Sequence, residues 1–121
     1  MNRLFASTVF AIVSYLSLVG MAAAHSNIVS SAPAQNAEVA APAAIEMTFN
    51  EEVNLAFSSL ALIGPDGAEV PLDQVTGVES GKGMNAAVTS ELVPGSYTVK
   101  WTLLSPDGHK LEGSYNFTVT P

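Results

Sequence analysis

Beyond residue 24, apolar and polar residues alternate in several short runs, each bounded by turn residues. In IEMTF, Ile45, Met47 and Phe49 fall on one side and Glu46 and Thr48 on the other. Tyr97, Val99, Trp101 and Leu103 share a face of SYTVKWTLLS, and Tyr115, Phe117 and Val119 share one in GSYNFTVT. A period of two is the mark of a strand with one face buried. Further strands are expected near 26–31, 57–63, 68–72 and 86–92. Gly64-Pro65-Asp66-Gly67, Gly81-Lys82-Gly83, Pro94-Gly95 and Ser105-Pro106-Asp107-Gly108 separate the runs as turns. About seven short strands so spaced predict an all-β, two-sheet sandwich of immunoglobulin type. Tyr97, just past the turn into a late strand, occupies the place of a tyrosine corner. Trp101, on the same face, reads as core, because large aromatics dominate cores.

The amino terminus follows a different pattern. Arg3 precedes a mostly apolar run over 4–19, and Ala22-Ala23-Ala24 is the small-residue pattern of a signal-peptidase site. An uncleaved membrane anchor is the competing reading. Ser7, Thr8, Ser14 and Ser17 interrupt the run and no charged stop-transfer cluster follows, so residues 1–24 are expected to be a cleaved signal peptide. The remaining domain, 25–121, has 121 − 24 = 97 residues, enough for one core. After cleavage it would carry no membrane span, and His25 would be its first residue, with a free α-amine.

Composition narrows the function. There is no cysteine, so neither disulfides nor thiolate metal sites are available. Export without cysteine fits a bacterial periplasm or cell surface. Removing 1–24 also removes the only arginine and leaves three lysines against 11 acidic residues, 3 − 11 = −8. Such a surface repels phosphate backbones, which argues against nucleic acid. The acids are scattered, and solubility explains most of them. No obvious apolar stripe calls for a dimer, so a monomer is expected.

The chain has two histidines, His25 at the presumed new terminus and His109 in SPDGHKLEG, between the last two predicted strands. Asp107 lies two residues before His109, so an extended backbone would send both side chains the same way. Pro-Asp-Gly also occurs at 65–67, where Ala68 follows it, so Asp107 taken alone reads as a turn residue. Turn chemistry does not account for His109. A cleaved chain would offer the amine and imidazole of His25, the carboxylate of Asp107 and the imidazole of His109. Three nitrogens and one oxygen suit one Cu(II) ion in a tetragonal array. Zinc also accepts such donors; the Irving–Williams order places Cu(II) above it on affinity alone, an order that metal availability can reverse.

These pieces resemble the CopC family of bacterial periplasmic copper-binding proteins. The likeness is carried by a signal ending at Ala24, His25 leading into HSNIVSSAPA, IEMTFNEEV, LVPGSYTVKWTLLSPDGH and the terminal EGSYNFTV. The resemblance implies a Greek-key β-sandwich that binds Cu(II) through the His25 amine and ring, Asp107 and His109. It further implies a non-enzymatic role in copper homeostasis or resistance, beside a CopD-type inner-membrane protein. Some members place a carboxylate from the segment after the first core strand near the metal. Glu51 falls there, but Glu51 and Glu52 read equally as solvated acids and stand outside the expected site. Other members carry a methionine-rich loop for Cu(I). Here only Met47 and Met84 follow the signal, the first on a core face and the second alone in a glycine-rich loop. A Cu(II)-only protein is therefore expected. Two other classes compete, a histidine-brace copper monooxygenase acting on polysaccharide and a metal-free immunoglobulin-like interaction module. The first is disfavoured by the short chain, by loops without a flat aromatic display, and by Asp107 in the position oxygen would need.

Overall fold

A computed structural model describes residues 28–121. The expected signal segment 1–24 and His25 lie outside the described residues. Within the described residues, nine strands form two sheets: β1 (Ile28–Ala32), β2 (Glu38–Val39), β3 (Ala44–Phe49), β4 (Ser59–Ile63), β5 (Glu69–Val70), β6 (Thr76–Gly77), β7 (Gly83–Ala87), β8 (Gly95–Leu104) and β9 (Lys110–Val119). One sheet has the order β1-β3-β7-β6 and the other β2-β9-β8-β4-β5. All these pairings are antiparallel except β2 with β9. The fold is the expected all-β, immunoglobulin-like Greek-key sandwich. No helix among the described residues is long and apolar enough to cross a membrane.

The alternation read from sequence sets the core. Ile45, Met47 and Phe49 of β3 meet Tyr97, Val99, Trp101 and Leu103 of β8 and Tyr115, Phe117 and Val119 of β9, and all ten are buried. Phe49 and Trp101 cross the gap between the sheets with ring centroids 5.4 Å apart. The Trp101 indole lies over Gly113 of β9, its cross-strand partner. A Cβ at Gly113 would come within 2.7 Å of the indole Cζ2, so the missing side chain is what admits the ring. The tyrosine corner is present: Tyr97 Oη donates to the Val93 carbonyl at 2.6 Å. Burial raises the Tyr97 phenol above its ordinary value, which keeps it a neutral donor.

Three local expectations need correction. The strand expected over 57–63 begins at Ser59, and Phe57 ends a 3-10 turn, Leu55–Phe57, where it is 67% exposed. Asn54 causes this by capping the turn, its side-chain oxygen accepting from the Ala56 N–H at 3.2 Å. The strand expected over 86–92 is β7, which starts at Gly83 and ends at Ala87. Gly83 is a strand residue and not part of the expected turn. Its place follows from a space constraint, since a Cβ there would lie 2.5 Å from the Met47 carbonyl. Met84 therefore sits in a strand, not a loop, fully buried opposite Met47. The two-residue strands β2 and β6 are too short to leave a periodic signal.

Two substitutions test this packing. Gly113→Ala should lower unfolding free energy by about 1–3 kcal/mol through overpacking against Trp101. Tyr97→Phe should cost about 1 kcal/mol for the lost corner bond. Urea unfolding followed by Trp101 fluorescence measures both.

Candidate metal centre

The ten-residue pairing of β8 with β9 ends at Leu104 opposite Lys110 and is closed by residues 105–109. Pro106 and Asp107 are the central residues of a β-turn in which the Gly108 N–H donates to the Ser105 carbonyl at 2.9 Å. Gly108 closes it with φ +89, a left-handed conformation that glycine adopts without penalty. The Ser105 N–H donates to the His109 carbonyl at 2.9 Å.

The turn holds Asp107 and His109 side by side on its outer surface. His109 Nδ1 lies 3.0 Å from Asp107 Oδ2, with the two side chains 78% and 67% exposed. The other carboxylate oxygen faces inward. Asp107 Oδ1 accepts from the Ser105 hydroxyl and, at 3.3 Å, from the His109 N–H. That N–H is shared with Ser105 Oγ at 3.2 Å. These bonds favour the ionised form and hold the Asp107 carboxyl below its ordinary value, the Ser105 hydroxyl contributing most and the His109 N–H next. With its proton on Nε2, a neutral His109 would turn the Nδ1 lone pair to the same side as Oδ2, 3.0 Å away, so that both atoms could face one ion. The donor set fits copper as far as it goes, with one carboxylate and one imidazole free to converge on one ion. Among the described residues no group of three or more potential ligands occurs.

Several other segments end at the same pole. Asn54 N–H bonds to the Leu104 carbonyl at 3.4 Å, and Ser58 Oγ accepts from the Leu104 N–H at 3.2 Å. Val53 N–H bonds to Gly81 and Phe49 N–H to Lys82, at 3.0 and 2.7 Å. Phe49 in turn pairs with Ile28, the first residue of β1. Strand β1 thus starts at the pole that carries the 105–109 turn. Of the two acids left outside the expected site, Glu52 lines a cavity of about 280 Å³ with Val53, Asn54 and Pro106, and Glu51 does not.

A family model described as the CopC domain matches residues 28–120. The chain belongs to the CopC family. YobA of Escherichia coli K12 is 38% identical over 98 residues, 79% of each chain. Copper resistance protein C of Pseudomonas syringae pathovar tomato is 36% identical over 125 residues, covering 98% of both chains. Among solved structures, CopC of Methylosinus trichosporium OB3b aligns with a TM-score of 0.72 at 35% identity, covering 80% of this chain and 95% of that one.

In this CopC-family chain, residue type alone marks Asp107 and His109 as candidate ligands but does not mark Ser105. A signal existed. The two Pro-Asp-Gly turns differ before the motif as well as after it, with Gly64 in one and Ser105 in the other.

The Asp107 carboxyl should titrate below an unstructured aspartate, about 3.9, and Ser105→Ala should move it back up. Because the folded value is depressed, ionised Asp107 favours the folded turn at neutral pH. That contribution is complete above the unstructured value of about 3.9 and fades as pH falls from there through the depressed value. Carboxyl-carbon NMR across an acid titration reads both effects.

Proposed function

We propose that this protein is a periplasmic Cu(II) carrier or buffer serving copper homeostasis or resistance, a binding protein and not an enzyme. One Cu(II) is its cargo, held by the amine and imidazole of His25, the Asp107 carboxylate and the His109 imidazole. Removal of residues 1–24 creates the amine ligand. The metal-loaded monomer would pass copper to a CopD-type inner-membrane protein.

One observation carries this reading: two exposed donors, Asp107 and His109, are fixed 3.0 Å apart at the pole where β1 begins. Position 25 is three residues before Ile28, and three residues reach at most about 10 Å. An amine and a ring from one residue close a chelate, so a single ordered residue would complete a tetragonal N3O set. Family membership and the copper-resistance name of a relative that matches end to end point the same way. Met47 and Met84 are sealed in the core, so neither offers its thioether to Cu(I) at the surface.

Cu(II) titration followed by electron paramagnetic resonance tests the proposal, comparing chains that begin at His25 and one residue earlier. The extended chain should bind weaker by orders of magnitude, and equal binding would remove the amine from the site. Affinity should fall as pH drops below about 8, because the amine and imidazoles must shed protons to bind. Under reducing conditions the apo protein should form no tight Cu(I) complex.

A further inference from the structure

The molecule contains its own control for the 105–109 turn. At the opposite pole, residues 64–68 join β4 to β5 around the first Pro-Asp-Gly, with the same backbone bonds. Gly64 N–H donates to Ala68 O at 2.8 Å and Gly67 N–H to Gly64 O at 3.0 Å. Asp66 Oδ1 accepts from the Ala68 N–H at 3.0 Å, as Asp107 Oδ1 does from the His109 N–H. Gly67 has φ +85 and Gly108 φ +89. All this forms with glycine at the first position. The backbone geometry of the turn therefore needs no hydroxyl there.

Ser105 nevertheless supplies one and buries it. It is 5% exposed and is the buried polar residue among the described ones. A buried hydroxyl costs free energy unless it is hydrogen-bonded. Its bonds go to the two candidate ligand residues, the Asp107 carboxylate and the His109 backbone.

We infer that Ser105 is the positioning residue of the copper site: its hydroxyl ties Asp107 Oδ1 into the turn and leaves Oδ2 as the one oxygen presented to the ion. The inference rests on the copper reading above. Its consequence is a carboxylate that binds through a single oxygen in a fixed direction. That occupies one position of a tetragonal Cu(II) set and leaves the others to nitrogen. A carboxylate free to swing and bind through both oxygens suits larger oxygen-seeking ions such as Ca²⁺.

The test is a double-mutant cycle on protein beginning at His25, using Ser105→Ala, Asp107→Asn and both together. Cu(II) affinity, the paramagnetic spectrum and metal-free thermal unfolding are read for each. Ser105→Ala should weaken Cu(II) by about 10–100-fold, the range for losing a residue that orients a metal ligand, and should alter the copper spectrum. In the Asp107→Asn background the same change should weaken binding by no more than about twofold, since the two residues act as one unit. Ser105→Thr, which keeps the hydroxyl, should restore both affinity and spectrum.

Unchanged affinity in Ser105→Ala, or a full penalty that persists beside Asp107→Asn, would overturn the role of Ser105 while leaving the site in place. Parent-like binding by Asp107→Asn would instead defeat the copper reading of Asp107, and the inference with it. If Ser105→Ala does not fold, Ser105→Thr decides, and a folded Ser105→Thr chain with a loss of about tenfold refutes the hydroxyl's role.

Discussion

The in-register pairing of β8 with β9 is the constraint on which the candidate site depends. Ten consecutive residues on each strand pair without a bulge, from Gly95 opposite Val119 to Leu104 opposite Lys110. Their inner faces carry Tyr97, Val99, Trp101, Leu103, Tyr115, Phe117 and Val119 into the core. A one-residue slip of β9 against β8 would turn Tyr115, Phe117 and Val119 to the wrong face. Burial therefore fixes the register, and the register fixes where five residues must reverse the chain. The position of Asp107 and His109 is an outcome of core packing some distance away.

Turn chemistry and metal chemistry are not rivals at this position. Asp107 is a turn residue, as the parallel with Asp66 shows, and the same bonds make it a preset donor. Oδ1 accepts hydrogen bonds within the turn, while Oδ2 faces solvent beside the His109 ring. Under the copper reading, the alternatives posed by the sequence, structural aspartate or ligand, would correspond to the two oxygens of one carboxylate. What separates the two Pro-Asp-Gly turns is the pair of residues flanking the motif, Ser105 and His109 in place of Gly64 and Ala68.

The long strands are legible in the sequence because alternation over five to ten residues leaves a strong pattern. The core residues expected on the β3, β8 and β9 faces are all buried, and the corner at Tyr97 is present. The short pieces leave no such trace. β2 and β6 have two residues each, and their hydrogen bonds come from neighbours distant in sequence, as when Thr120 N–H reaches Val39. Phe57 resembles the start of a strand because aromatics favour strands, and the Asn54 cap overrides that preference. Met84 stands among glycines as if in a loop, because the reason for Gly83 is the nearness of the Met47 carbonyl, which only the folded chain reveals. At the site, residue identity points to Asp107 and His109, but the serine beneath them carries no metal-binding signature of its own.

The proposed site divides its ordering cost between two events. Folding already ties the Asp107 carboxylate into the turn, so the ion would have less of its shell to immobilise. Under the proposed function the remaining donors would come from one residue, His25, three positions before Ile28. Such an asymmetry would suit the proposed carrier role. Four donors all locked by the core would bind tightly but release slowly, whereas two loose side chains would capture too little. Under the proposed reading, a carboxylate held in the turn and joined by a terminal chelate would allow the ion to be released in steps.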